Sequence, residues 1–368
     1  MLQSLEIENF RQFSHFTIPK LGRINLLTGK NNSGKTSVLE AIYLLTAKGN
    51  PMREIYRIQK VRGELIQSQD RDRGETVDIR HLFHQRLINI GSSLKISGIT
   101  PFQEDCFFEI ELIKDSRQTE NGGSDPQSNN QSTDEFIDYA PTKLLIKSKD
   151  QEKTYDLTSE MGVYLRNSYP MSRSLENQSA TDNFLLSTGL NSYEIFELFE
   201  RVVLEPEEDL VIDSLKLIEP NISRIAPVSL PRYRSGREGF FVSLSGYERR
   251  VPLSSMGDGV WRLLEIALVM VNAKDKPLLI DEVDTGLHYS VMVDLWKLIW
   301  KTAKKLDVQV FATTHSRDCW EALAELVEQE NATSEEIMLH HISAPKGQSI
   351  SFTGNQLSIA SERDLEVR

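Results

Sequence analysis

Gly29-Lys30-Asn31-Asn32-Ser33-Gly34-Lys35-Thr36 is the stretch from which the rest of the chain is read. It fits the pattern G-x-x-x-x-G-K-[ST]. In that pattern a glycine-bounded loop wraps a phosphate chain in backbone N–H groups, a lysine reaches the β and γ phosphates, and a hydroxyl ligates Mg2+. The pattern needs its context, and both sides supply it. Arg23-Ile24-Asn25-Leu26-Leu27 is a nearly continuous apolar run that predicts a buried strand leading into Gly29. Val38, Leu39, Ile42 and Leu45 recur at helical spacing and predict an amphipathic helix whose N-terminus favours an anion. Strand, loop and helix together predict a nucleotide site. Gly29, Lys30, Asn31, Asn32, Ser33, Gly34, Lys35, Thr36 and Ser37 would hold the phosphates, with Thr36 also on the metal.

A second stretch brings acids. Lys276-Pro277-Leu278-Leu279-Ile280-Asp281-Glu282 is an apolar strand ending in two carboxylates. Beside a phosphate loop, Asp281 suits the Mg2+ shell and Glu282 can orient or deprotonate the attacking water. Asp281 lies 246 residues after Lys35, so the order of the remaining motifs decides the class. Leu253-Ser254-Ser255-Met256-Gly257-Asp258-Gly259 opens a helix, with Gly257 placed 24 residues ahead of Asp281. Ser255 and Gly257 at that helix N-terminus form a second anion site. Phe311-Ala312-Thr313-Thr314-His315-Ser316 sets His315 just past the next buried strand, where a parallel sheet presents its working edge. His315 is read as a sensor of the γ-phosphate.

Composition narrows the class. The 368 residues carry a net charge of −12, which excludes a surface coated for nucleic acid but leaves room for a local basic patch. Arg224, Arg232, Arg234, Arg237, Arg249 and Arg250 fall within 27 residues, interleaved with Tyr233, Phe240, Phe241 and Tyr247. That cluster suits phosphate backbones or unstacked bases; the competing reading is a solvated face paired with Glu238 and Glu248. Two cysteines, Cys106 and Cys319, exclude a disulfide framework or a zinc site. The opening MLQSLEIENF is no signal peptide, and the apolar run Ile266–Val271 is far too short to span a bilayer. A cytoplasmic protein with no membrane partner is expected.

Strand-like runs at Leu5–Ile7, Phe16–Ile18, Ser93–Ile99, Cys106–Ile113 and Leu144–Lys147 predict a β-rich lobe. Residues 158–222 read as a helical lobe with Phe196, Phe199, Val203 and Leu204 as its packing stripe. The last third alternates helix Trp261–Val271, strand Pro277–Ile280, helix Ser290–Lys305, strand Val308–Ala312 and helix Asp318–Gln329. Alternating apolar strands and helices predict a mostly parallel sheet under helices. The stretch Arg117–Glu135 has almost no apolar side chain and is expected to be a disordered insertion. Asp70-Arg71-Asp72, in a charge-rich loop, reads as solvated surface. The expected division is a head of residues 1–115 with 240–368, an insertion at 116–136, and a β/helical inserted lobe at 137–239.

Phosphate loop, serine-glycine signature, apolar-Asp-Glu and a later histidine stand in the order found in ATP-binding-cassette (ABC) ATPases. Within that class the chain resembles the branch of RecF, SMC and the overcoming-lysogenization-defect (OLD) nucleases. Ile7-Glu8-Asn9-Phe10-Arg11-Gln12-Phe13 is similar to its opening strand and turn. Asp281-Glu282-Val283-Asp284-Thr285-Gly286-Leu287-His288 resembles its loop after the acid pair, and Ala312-Thr313-Thr314-His315-Ser316 its switch. The resemblance covers residues 1–48 and 240–368. It implies an α/β ABC-type ATPase head with a mostly parallel core sheet, an antiparallel β lobe and an inserted helical lobe. It further implies ATP and Mg2+ as cofactors and a head-to-tail homodimer or higher assembly, with ATP held between one phosphate loop and the partner's Ser255 region. Ser255-Met256-Gly257-Asp258-Gly259 departs from the transporter-type serine-glycine-glycine-glutamine, and His288 stands where transporter subunits usually carry an aspartate. Gln85 and Gln103 are the candidates for the glutamine-bearing loop. Only 53 residues follow His315, too few for the TOPRIM nuclease domain of the OLD nucleases. The chain is therefore expected to be an ATPase head serving DNA repair or defence against phage and plasmids. Its partners would be a separately encoded TOPRIM-type effector nuclease and DNA. A nucleotide-gated scaffold and a transporter ATP-binding subunit are the rival readings.

Overall fold

The structure is a computed structural model that describes residues 1–67, 75–100, 105–114, 142–158, 161–164, 183–203, 207–228, 239–274, 276–330, 332, 336–343, 346–365 and 367. Asp70-Arg71-Asp72, Gln103, the polar insertion, Leu204, and the cluster members Arg232, Tyr233, Arg234, Arg237 and Glu238 lie outside the described residues. Arg224, Arg249 and Arg250 are described, and all three are exposed.

The N-terminus folds as a hairpin of β1 (Ser4–Phe10) and β2 (Phe13–Ile18), and the chain then enters β3 (Ile24–Thr28). All five residues of β3 are buried, as the continuous apolar run predicts. β3 sits inside a six-stranded sheet. Its spatial order is β11 (Phe184–Leu185), β15 (Leu278–Ile280), β16 (Val310–Thr313), β3, β17 (Ile337–His341) and β18 (Ile350–Thr353). The first five run parallel and β18 closes the edge antiparallel, so the core sheet is mostly parallel. In register, Leu26 lies beside Ala312 on one flank and Leu339 on the other.

Period-two alternation divides this sheet between two cores. Ile24, Leu26, Ile280, Val310, Ala312 and Leu339 belong to one. Leu27, Leu279 and Phe311 belong to the other. The first core is closed by α3 (Ser192–Val202), α4 (Glu208–Leu215), α5 (Asp258–Asn272), α6 (Met292–Lys305), α7 (Arg317–Glu330) and α8 (Gly354–Glu362). The second core holds α1 (Lys35–Thr46) and part of α2 (Pro51–Arg62) against a six-stranded antiparallel sheet. That sheet runs β2-β1-β6-β7-β8-β9, with β6 at Ser93–Ile99, β7 at Asp105–Lys114, β8 at Thr142–Ser148 and β9 at Glu152–Asp156. Among the described residues there are two further three-stranded sheets: β4 (Leu65–Gln67), β5 (Glu75–Asp78) and β10 (Gly162–Tyr164), then β12 (Ile222–Pro227), β13 (Phe240–Leu244) and β14 (Val251–Pro252).

Four features differ from the sequence reading. α1 is not amphipathic: Lys35 and every residue from Ser37 to Leu45 is buried, because it lies between two sheets. β8 and β9, assigned by sequence to the inserted lobe at 137–239, extend the sheet that begins at β1, β8 pairing with β7 and β9 with β8. The stretch read as helical contains β11, two residues long, whose Phe184 and Leu185 pair with Leu279 and Ile280. Val203 leaves the packing stripe, since α3 ends at Val202 and Val203 is exposed; Phe199 is buried, and Phe196 packs on Phe240 with ring centroids 4.7 Å apart.

Candidate nucleotide site

The phosphate loop joins β3 to α1. Gly29 has φ +140°, and a Cβ there would stand 2.5 Å from the Ile342 carbonyl oxygen. Gly34 has φ +105°, and a Cβ there would overlap the Phe13 ring. Only glycine fits at either position. The β1–β2 turn props the loop from outside, where Gln12 Nε2 donates to Asn32 Oδ1 at 2.8 Å. Lys30, Asn31 and Asn32 are exposed, while Lys35 and Ser37 are buried.

The side chains expected at the phosphates and metal meet at one sheet edge. Lys35 Nζ donates to the carbonyls of Gly29 (3.1 Å) and Lys30 (3.2 Å) and lies 3.4 Å from His315 Nδ1. Burial lowers the Lys35 pKa from its ordinary value, opposed by the charges of Asp281 and Glu282. Thr36 Oγ1 donates to Asp281, 3.2 Å from Oδ1 and 3.1 Å from Oδ2. Thr313 Oγ1 donates to Asp281 Oδ1 at 2.6 Å and accepts the Glu282 N–H at 2.8 Å. Thr285 Oγ1 donates to Glu282 Oε2 at 3.1 Å. Asp281 follows β15, His315 follows β16, and β16 lies between β15 and β3. A hydroxyl and a carboxylate side by side form a hard oxygen donor set, which fits Mg2+ sharing its shell with phosphate oxygens and water.

Ser255 and Gly257 are elsewhere. Both are exposed, and Ser255 Oγ donates locally to the Pro252 carbonyl at 2.7 Å. Gly257, at φ +92°, caps α5. The start of α5 packs on the loop after Glu282, since a Cβ on Gly259 would lie 3.1 Å from the Gly286 carbonyl oxygen. Gln85 is exposed, at φ +56°, beside Phe83, which bridges to Phe10.

Four residues at the site were not singled out from sequence. Gln12, Thr285 and Thr313 stand inside quoted motifs but carry no chemical signature of their own. Arg262, on α5, is 4% exposed and donates to the carbonyls of Asp281 (2.7 Å) and Glu282 (2.9 Å). Its signal in the sequence is an arginine and a glutamate three apart inside an otherwise apolar helix.

A phosphate loop after a central parallel strand, an acid pair on the next strand but one and a histidine on the strand between them define an ABC-class ATPase head. A family model described as an AAA ATPase domain matches residues 1–319. The chain belongs to that family, and its fold is that of an ABC-class ATPase head. It is similar to an ATP/GTP phosphatase of Helicobacter pylori, 24% identical over 364 residues, covering 90% of each chain. It is similar to the DNA replication and repair protein RecF of Staphylococcus epidermidis, 24% identical, over 86% of this chain and 93% of that one. An SMC head solved with the C-terminal winged-helix domain of ScpA has the same fold, with TM-score 0.51 and 13% identity over 96% of this chain and 97% of that one. No helix among the described residues is long and apolar enough to cross a membrane.

Proposed function

We propose that this chain binds ATP with Mg2+ and hydrolyses it, and that the nucleotide governs a head-to-tail assembly of two copies. One observation carries the reading: Thr36, Asp281, Thr313 and Glu282 form a continuous run of hydrogen bonds beside the Lys35 ammonium. Lys35 and the loop N–H groups bind and orient the phosphates. Thr36 and Asp281 would hold Mg2+, which when bound supplies charge neutralisation at the phosphate oxygens. Glu282 accepts the proton of the attacking water as its oxygen bonds to the γ-phosphorus and the bond to the β–γ bridging oxygen breaks. Thr285 holds one Glu282 oxygen and thereby fixes which one faces the water. His315, next to Lys35 at the strand end, contacts the γ-phosphate.

Ser255 and Gly257, exposed at the head of α5, complete the nucleotide site of the partner copy. ATP binds the closed assembly better than the open one, so closure follows from differential affinity. The process served is DNA-directed, repair or antiviral defence of the OLD kind, with a separately encoded TOPRIM-type nuclease as effector. The RecF relatives support its DNA-directed character.

Glu282→Gln tests the reading. Loss of a general base costs about 10²–10⁴ in rate. Hydrolysis should fall by that factor while ATP still binds, and the ATP-bound dimer should accumulate in sedimentation. A wild-type rate would remove Glu282 from catalysis. An ATP-saturated variant that stays monomeric would refute the assembly.

A further inference from the structure

Arg262 lies in the second turn of α5, seven residues after Ser255. A guanidinium this deep needs acceptors for its donors. Nη2 donates to the main-chain carbonyls of Asp281 and Glu282 at 2.7 and 2.9 Å. Nη1 donates to the Leu186 carbonyl at 3.0 Å and pairs with Glu265 Oε2 at 3.4 Å. Glu265, equally buried, accepts the Leu190 N–H at 3.1 Å. Gly189, at φ +76°, lies so close that a Cβ on it would stand 2.7 Å from Glu265 Oε1. Three segments distant in sequence thus meet on one ion pair: the helix opened by Gly257, the end of β15, and the Leu186–Leu190 loop after β11.

The held backbone is not a relaxed one. Glu282 has φ +49°, in the left-handed region. For a residue with a side chain such a conformer is strained and persists only where its surroundings impose it. The main chain supplies part of them: the Val283 N–H donates to the Thr313 carbonyl at 3.0 Å and the Thr285 N–H to the Glu282 carbonyl at 3.1 Å. Thr313 accepts the Glu282 N–H, Arg262 binds the carbonyls on both sides of the Glu282 nitrogen and α-carbon, and Thr285 binds the carboxylate. Among these, Arg262 alone belongs to the helix that Gly257 caps and that the exposed Ser255 precedes.

We propose that Arg262 is a positioning residue that aims the Glu282 carboxylate and passes to it the placement of α5 and of the Leu186–Leu190 loop. The inference rests on Glu282 acting as the base, as proposed above. A contact that shifts the α5 N-terminus moves the guanidinium, and with it the two carbonyls that define the Glu282 conformer. A passive cap on two carbonyls would stabilise the fold without affecting the rate of the folded protein, and the experiment separates the two roles.

Arg262→Lys keeps the charge but replaces a planar fork with a point donor, which cannot span two carbonyls and a third. Misplacing a reacting group by about 1 Å costs about 10² in rate. Single-turnover hydrolysis, per molecule of bound ATP, should fall by that factor, with affinity for a fluorescent ATP analogue unchanged. Arg262→Met combined with Glu265→Met removes both charges together, which spares the fold the penalty of an unpaired buried ion. It should show the same slow turnover at intact affinity. On a Glu282→Gln background, Arg262→Lys should slow hydrolysis no further, because both changes act through one carboxylate. Wild-type turnover in either folded, ATP-binding variant overturns the inference, and so does a full further slowing on the Glu282→Gln background. Undiminished turnover in Glu282→Gln alone would instead overturn the reading on which the inference rests.

Discussion

The two cores each contain a buried arginine network, and the two direct their charge differently. Beside α1, Arg11 meets Glu40 at 3.1 Å and Glu64 at 2.7 Å, and Arg62 meets Glu40 at 2.5 Å. Charge there is answered by charge, with the His81 carbonyl as a further acceptor for Arg11 at 3.1 Å. Beside α5, Arg262 has one carboxylate partner at 3.4 Å and shorter hydrogen bonds to three main-chain carbonyls. The first network ties the turn after β1 to α1 and α2, elements already fixed by packing. The second grips a strand end in a strained conformer. Burial of an arginine therefore says little until its acceptors are named: carboxylates make it a clasp between elements, carbonyls make it a template for backbone shape.

The largest expected effect strikes the clasp. Glu40→Ala leaves Arg11 and Arg62 without their shared carboxylate, and breaking a buried pair from one side costs about 3–5 kcal/mol. The urea midpoint should drop accordingly, while turnover per folded molecule stays near wild type. Collapsed turnover at an unchanged midpoint would reverse the comparison. Next comes Lys35, the cation at the start of the same helix. Removing a charged hydrogen-bond donor from a buried site costs about 2–5 kcal/mol of binding. Lys35→Ala should therefore lose ATP in a titration. Its stability should not suffer. Burial lowers the Lys35 pKa, so keeping the proton at neutral pH works against the fold, and deletion removes that penalty. A lowered melting temperature would show that the carbonyl bonds of Lys35 outweigh its desolvation.

The smallest effect tests a third kind of buried polar group, a neutral one. His340 on β17 is fully buried, paired with Ser351 Oγ at 2.8 Å and Asn25 Oδ1 at 3.2 Å, and burial pushes its pKa from 6.5 down to about 3. The unfolded chain takes up the proton first, so this contribution to stability is present above pH 6.5 and is lost as pH falls toward 3. His340→Asn should flatten the loss of melting temperature over that interval. An unchanged slope would assign acid sensitivity to other groups.

Much of the site was legible because its chemistry is written in contiguous residues. Gly29 to Thr36, Asp281-Glu282 and His315 each carry their own context, and the fold brings them to one sheet edge. What escaped depends on pairing across the chain. β11 is too short to show a period, and only its partner Leu279-Ile280 makes it a strand. β8 and β9 resemble any antiparallel pair until β7 claims them. Arg262 sits among Val260, Trp261, Leu263 and Leu264, where an isolated charge reads as the polar stripe of an amphipathic helix. The acceptors that make it a template are carbonyls, and carbonyls leave no mark in a sequence.

The place of β3 between β16 and β17 has a consequence for biosynthesis. Ile24 pairs with Val310 on one side and Ile337 on the other. Both flanking strands are synthesised last. At about 5–20 residues per second, the 286 residues from Ile24 to Val310 take about 15–60 s to translate. Through that interval the nascent chain carries a strand built for complete burial, Ile24 to Thr28, with neither neighbour to pair it. The antiparallel sheet, which draws on residues up to Asp156, can form long before. On the ribosome the first domain-sized unit can thus finish while the strand that bears the phosphate loop still waits, and holdase chaperones that bind exposed edges have their longest opportunity in that interval.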